Sequence, residues 1–264
     1  MDWIQIVVLA LVQGITEFLP ISSSGHLILP AQLTDWPDQG LAFDVGVHFG
    51  TLLAVVIYFR NQLIDMAADL ITWPSHQNYT PHIDEVLKLA IATIPVVIVG
   101  FLAKDFIEAN LRTGLVIATT TTAFALLLWW ADRKPDSNQM ISFSQAAIIG
   151  AAQVLALVPG TSRSGITITA ALLLGLSRTR AAEFSFLLAI PTIAGAQLLL
   201  TLDLLEGTAQ ANWSELFSGA LLAGVSAYLC INAFIALVER TGMLPYVIYR
   251  LLLGAFLFFF FLTR

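Results

Sequence analysis

Six apolar runs, at about 41–60, 86–104, 114–131, 182–203, 214–238 and 244–262, constrain this chain more than any other feature. A helix needs roughly 20 consecutive apolar residues to cross a bilayer. Lipid offers no partner to backbone polar groups, so only helices and closed barrels span it. A barrel would show alternating segments of about ten residues, which this sequence lacks. Charged residues make up 11% of the 264, and the mean hydropathy is +0.83; soluble domains carry about 25% charge. The expectation is an all-α integral membrane protein, one polytopic domain over residues 1–264.

The segment before the first run is also apolar, yet it carries chemistry: "QGITEFLPISSSGHLIL", residues 13–29. Its start, "MDWIQIVVLALVQG", has no basic leader and no small-residue cleavage site, so it reads as mature protein and not as a signal peptide. A second stretch, "QVLALVPGTSRSGI" (153–166), repeats the pattern: Gln13 aligns with Gln153, Ser22 with Ser162, Ser24 with Ser164 and Gly25 with Gly165. Pro and Gly interrupt both copies, so each reads as a broken helix. The first copy runs over about 1–131 and the second over about 141–264. Three runs separate the two breaks, so the second should enter the membrane from the opposite face. The expected architecture is therefore about six full transmembrane helices plus two broken re-entrant hairpins in an inverted-topology repeat, meeting near the midplane.

Cations give an orientation. With both termini outside, Arg60, Lys88, Arg133, Lys134, Arg178, Arg180 and Arg240 fall at inner ends, and only Lys104, Arg112 and Arg264 at outer ones. The first hairpin then enters from the outer face. There is no basic patch for nucleic acid. The single Cys230 excludes an intramolecular disulfide. The sequence admits a homodimer without specifying one.

A carboxylate in an apolar segment is expensive and usually faces a cavity with a partner. Gln13 and Glu17 share a helix face, and Arg163 is the one cation embedded in the second break. If the breaks meet, Glu17 and Arg163 share a cavity with Ser22, Ser23, Ser24, Thr161, Ser162 and Ser164. A guanidinium grips phosphate oxygens. Hydroxyls and the exposed amides of a helix start broken at Gly25 add neutral donors. A serine or a water attacks phosphorus once a base takes its proton, and His26 is a second acid–base candidate. Asp44 and His48 in "FDVGVHFGT" are further candidates; His76 and His82 sit in the longest polar connection, 72–85, the others being 132–139 and 203–215. No His, Cys and carboxylate spacing resembles a zinc site. A divalent ion held largely by substrate phosphates, with Glu17 contributing, fits the composition.

"QGITEFLPISSSGH" and "PGTSRSG" resemble the two signatures of the bacterial undecaprenyl-diphosphate phosphatase family, the one associated with bacitracin resistance. "FSFLLAIP" (184–191) and "LPYVIYRLLLG" (244–254) are similar to it too, so the resemblance covers nearly the whole chain. It implies removal of the terminal phosphate from a C55 isoprenyl diphosphate in the bacterial inner membrane. The product is the lipid carrier for peptidoglycan and other envelope polymers. It also implies a need for Mg²⁺ or Ca²⁺ and a site open to the periplasm. By motif position, Ser23 is the candidate nucleophile, His26 an acid–base or orienting group, and Arg163 the phosphate clamp. Ser22, Ser24, Ser162, Ser164 and Thr167 line the pocket, and Glu17 carries the carboxylate role. Where the family has Glu or Gln, this chain has Gln13, which offers only hydrogen bonds. From the residues alone, Ser22, Ser23 and water all remain open as nucleophile.

Two other classes compete. The second membrane lipid-phosphatase superfamily also uses Ser-Gly-His and Ser-Arg, but it wants a His about five residues past the Arg. "SGITITAALLLG" has none. A secondary transporter or lipid flippase would share the inverted repeat and bind an anionic head group without cleaving it.

Overall fold

The computed structural model describes residues 1–34, 36–76, 79–134, 140–206 and 212–263. The polar connections at 72–85, 132–139 and 203–215 lie partly outside the described residues. Among the described residues the chain is helical, without strands. Its elements are α1 (Trp3–Thr16), α2 (Ser23–Leu33), α3 (Gly40–Tyr58), α4 (Arg60–His76), α5 (Pro81–Asn110), α6 (Gly114–Ala131) and α7 (Phe143–Gln153). A 3₁₀ turn (Val154–Leu157) follows, then α8 (Arg163–Leu173), α9 (Arg178–Glu206), α10 (Trp213–Thr241) and α11 (Leu244–Leu262). Six of these are long and apolar enough to cross a membrane: α3, Pro81–Ala103 of α5, α6, Arg178–Leu202 of α9, α10 and α11. They are the six runs read from the sequence.

The helix α4 is a departure. The sequence reads 72–85 as the longest polar connection, yet helix continues to His76. It is amphipathic and too polar to cross, so it does not change the number of spans. The next helix starts where the chemistry says it should. Thr80 accepts from the Ile83 amide through its Oγ1 at 3.2 Å, and Pro81 follows at the first helical position.

The two breaks begin alike. Helix α1 starts in a capping box of Asp2 and Gln5, and α7 in one of Ser142 and Gln145, in the same register relative to the break. Each arm then lies on a helix from the other half of the chain: α1 packs on α10, and α7 on α5. The approach is close at both. A methyl added at Gly14 would meet the Ser226 Oγ at 2.0 Å, and one at Gly150 the Ala92 backbone at 2.5 Å. Lipid-embedded helices associate by packing and not by burial from water, so small residues at crossings set the distance.

At the centre is α8, buried without interruption from Ser164 to Leu172. Around it Phe18, Phe186 and Phe234 stack edge-on or tilted, with ring centroids 5.3 Å and 5.6 Å apart. The outer faces carry exposed Phe101, Leu102, Phe217, Leu252 and Phe259, the surface a bilayer would cover.

Candidate active site

Both breaks end in the same strained serine. Ser22 has φ 77° and Ser162 φ 73°, the two non-glycine residues with positive φ among the described residues. Each caps the helix it opens: Ser22 Oγ accepts from the Gly25 amide at 3.4 Å and Ser162 Oγ from the Gly165 amide at 3.1 Å. Each hydroxyl also meets the serine two places on, Ser24 at 3.4 Å and Ser164 at 3.2 Å. A left-handed serine costs of order 1–3 kcal/mol and persists where its surroundings enforce it. The result is two helix starts aimed into one region.

Glu17 ends α1 inside that region. Its Oε1 accepts from Arg163 Nη2 at 2.9 Å. Its Oε2 accepts from Ser23 Oγ at 2.6 Å and from Gln13 Nε2 at 3.0 Å. The pair expected from the sequence therefore forms across the two breaks. Arg163 is held further by the Ser185 carbonyl, 3.1 Å from Nη1, and its guanidinium lies 5.7 Å over the Phe18 ring. Charge-assisted bonds of this kind are strong, and a buried pair loses heavily if one partner goes.

These groups face a cavity of about 230 Å³. Glu17, Ser22, Ser23, Ser24, Ser162 and Arg163 line it, with His48, Thr192 and Gln197 and an apolar rim of Val96, Leu157, Ile193 and Leu200. Ser23 is half-buried and Ser24 exposed, so both are reachable. The other expected residues stand behind this wall. Gln13 is fully buried under Glu17. Thr167 Oγ1 meets Ser185 Oγ at 2.7 Å, and Ser164 Oγ donates to the Leu19 carbonyl at 2.9 Å, stitching one break to the other. Thr161 is fully buried, and Gly25 is buried near Gly160.

His26 is oriented away from Glu17. Its Nδ1 lies 2.6 Å from the Ser22 carbonyl and its Nε2 2.6 Å from the Tyr249 hydroxyl, with the rings stacked at 5.6 Å. It does not line the cavity, whereas His48 does. Asp44 does not line it either; its carboxylate accepts from Gln39 at 3.0 Å.

Sequence reading missed Arg250. It is fully buried in α11 and donates only to carbonyls: Thr121 at 3.2 Å, Pro20 at 3.2 Å, and Gly160 and Thr161 at 3.0 Å each. One guanidinium thus ties the first break, the second break and α6 together. Its signal was a lone arginine within an apolar run, six residues after its start.

The donor set does not build a resident cation site. No cluster of three His, Cys, Asp or Glu side chains occurs among the described residues. The cavity's one carboxylate already carries Arg163, Ser23 and Gln13.

Comparison with known proteins gives the family. The family described as Bacitracin resistance protein BacA matches residues 6–256. The chain is 55% identical over 262 residues to the undecaprenyl-diphosphatase of Alcanivorax borkumensis, covering 98% of this chain and 99% of that one. It is 54% identical over 267 residues to the undecaprenyl-diphosphatase of Alteromonas mediterranea, at 98% and 99% coverage. It is 53% identical over 263 residues to undecaprenyl-diphosphatase 2 of Stutzerimonas stutzeri, at 97% of each.

Proposed function

The chain belongs to the bacitracin resistance family and hydrolyses undecaprenyl diphosphate to undecaprenyl phosphate and inorganic phosphate, and we propose that it does so at the Glu17–Ser23–Arg163 cluster. The relatives do not favour the transporter reading. The observation that carries the assignment is the 2.6 Å bond from Ser23 Oγ to Glu17 Oε2, with Arg163 on the other carboxylate oxygen. A nucleophile against a base that a third group orients is the arrangement covalent catalysis needs.

In this reading Ser23 attacks the terminal phosphorus as Glu17 takes its proton. Gln13, short of a second carboxylate, holds Glu17 in place. Arg163 spends one Nη2 hydrogen on Glu17 and one Nη1 hydrogen on the Ser185 carbonyl, and offers its remaining N–H groups to phosphate oxygens. The Ser23 and Ser24 amides, at the first two positions of α2, add donors where charge develops. His26, pinned between Ser22 and Tyr249, has the orienting role: it holds the carbonyl of the strained serine.

A divalent cation would be held by the diphosphate oxygens, with Glu17 the carboxylate nearest to contribute. When bound, it supplies charge neutralisation to the phosphate oxygens. The prenyl chain lies in an apolar groove of about 690 Å³ between α3 and α10, which meets the polar cavity at Gln197. The groove follows α10 from Trp213 to Leu229, about 24 Å at 1.5 Å per residue. We place the two hairpins in inverted topology and the cavity on the periplasmic side of the inner membrane. The matching breaks and the cation bias support this.

The test is phosphate release from a prenyl diphosphate by purified protein. Ser23→Ala, Glu17→Gln and Arg163→Ala should each lose at least about a hundredfold in kcat while keeping the wild-type elution profile. Near-wild-type turnover by folded Ser23→Ala would move the attack to water or Ser22.

A further inference from the structure

We infer that His48 is the second proton-transfer residue of this reaction, serving the bridging oxygen and the hydrolytic water. This rests on Ser23 being the nucleophile. Three titratable side chains line the cavity: Glu17, Arg163 and His48. Arginine does not give up its proton in a protein. Glu17 is committed to Ser23, whose proton it must return when the phosphoserine breaks. That leaves the bridging oxygen and the attacking water, and His48 is the remaining cavity side chain whose type both gives and takes a proton.

Its geometry fits the task. His48 Nδ1 lies 2.8 Å from the Asp44 carbonyl, one turn back on α3. A carbonyl only accepts, so Nδ1 carries a hydrogen and Nε2 is the working nitrogen. No protein group bonds to Nε2 among the described residues. His26 is the opposite case, with both nitrogens engaged and no face on the cavity. The other charges sharing the cavity are Glu17 and Arg163. Asp44 lies on the same helix with its carboxylate bonded to Gln39, and α9 brings only Gln197 and Thr192 as polar neighbours.

The steps balance. Ser23 Oγ bonds to the terminal phosphorus and gives its proton to Glu17. The P–O bond to the bridging oxygen breaks, its electron pair stays on that oxygen, and His48 Nε2–H protonates it. Undecaprenyl phosphate leaves. Neutral His48 then takes a proton from water as the water attacks phosphoserine. The P–Oγ bond breaks, and Glu17 returns its proton to Ser23. The sum is one water consumed and one inorganic phosphate released.

The experiment is the pH profile of kcat for the full-length protein in detergent, using farnesyl diphosphate as probe. The wild-type rate should fall on the alkaline side, where a general acid is no longer protonated. His48→Gln should lose about a hundredfold in kcat with KM within a few-fold, and the alkaline limb should vanish. His48→Asn, which keeps a donor for the Asp44 carbonyl, guards against misfolding and should behave alike. His48→Ala should regain rate in added imidazole. Retention of the alkaline limb by folded His48→Gln or His48→Asn overturns the inference. Ser23→Ala assayed beside them reports on the nucleophile separately: it removes turnover at every pH, whereas the His48 variants change the shape of the profile.

Discussion

Ser22 and Ser162 adopt the same left-handed backbone, φ 77° and 73°, and each caps the helix after its break with its own hydroxyl. This makes the usual ranking of small residues reverse there. Alanine loses the cap and keeps the strain. Glycine loses the cap but relieves the strain. Ser162→Ala should therefore unfold at lower temperature than Ser162→Gly, by about 1 kcal/mol or more. Thermal unfolding in one detergent, read by tryptophan fluorescence, checks the order; equal midpoints would mean the left-handed turn relaxes.

Arg250 should matter to both stability and turnover. Its removal leaves the buried Pro20 and Thr161 carbonyls without their donor and takes one from those of Thr121 and Gly160, although Gly160 keeps the Thr121 hydroxyl at 3.3 Å. Each orphaned acceptor costs about 1–3 kcal/mol. Arg250→Met should lower the unfolding midpoint sharply, and Arg250→Lys less so, because an ammonium reaches some carbonyls but cannot fork. Because Arg250 fixes one break against the other, the stable fraction of Arg250→Lys should lose kcat more than it gains KM. Wild-type kcat in Arg250→Lys would show that the breaks keep their register without the fork.

The sequence made the spans and the site's central pair legible for physical reasons. Apolar run length is set by bilayer thickness, so α3, α5, α6, α9, α10 and α11 sit where the runs lie. Glu17 and Arg163 were readable as partners because each is too expensive alone in lipid. Residue type does not encode aim, however. His26 and His48 each bond a carbonyl four residues back on the helix. Only the tertiary arrangement puts one against Tyr249 and the other into the cavity. Arg250 was hidden for a similar reason: its partners are backbone atoms, which leave no trace in composition. The helix α4 was missed because an amphipathic turn of helix beside Pro74 reads as a polar connection.

A cation carried by the substrate has a thermodynamic signature. Chelation by EDTA should abolish phosphate release, and Mg²⁺ or Ca²⁺ should restore it. Calorimetric titration of either ion into substrate-free protein should show no saturable site, since Glu17 already holds three donors and no other carboxylate among the described residues lines the cavity. With a non-hydrolysable prenyl diphosphate analogue present, binding should appear. Tight binding to the bare protein would place ligands where the structure has none.

The groove along α3 and α10 should read the length of the prenyl chain. Val225 and Leu229 line it and are 54% and 63% exposed, so changing them disturbs little packing within the protein. Leu229→Trp narrows the groove more than three turns along α10 from Leu216, which packs on Gly46 beside the Gln197–Val45 link to the polar cavity. A chain too short to reach that point should not sense it, while each further isoprene unit in the groove contributes apolar contact that the indole displaces. The expected result is a KM that rises with chain length in Leu229→Trp, little changed for a C10 diphosphate and raised about tenfold or more for C55, with kcat unchanged throughout. Such a split follows from lost binding far from the reacting phosphorus, which affects ground and transition states alike. A uniform rise across all chain lengths would instead indicate that the substitution reaches the cavity through Gln197, whose amide bonds the Val45 carbonyl at 2.8 Å and links the two spaces.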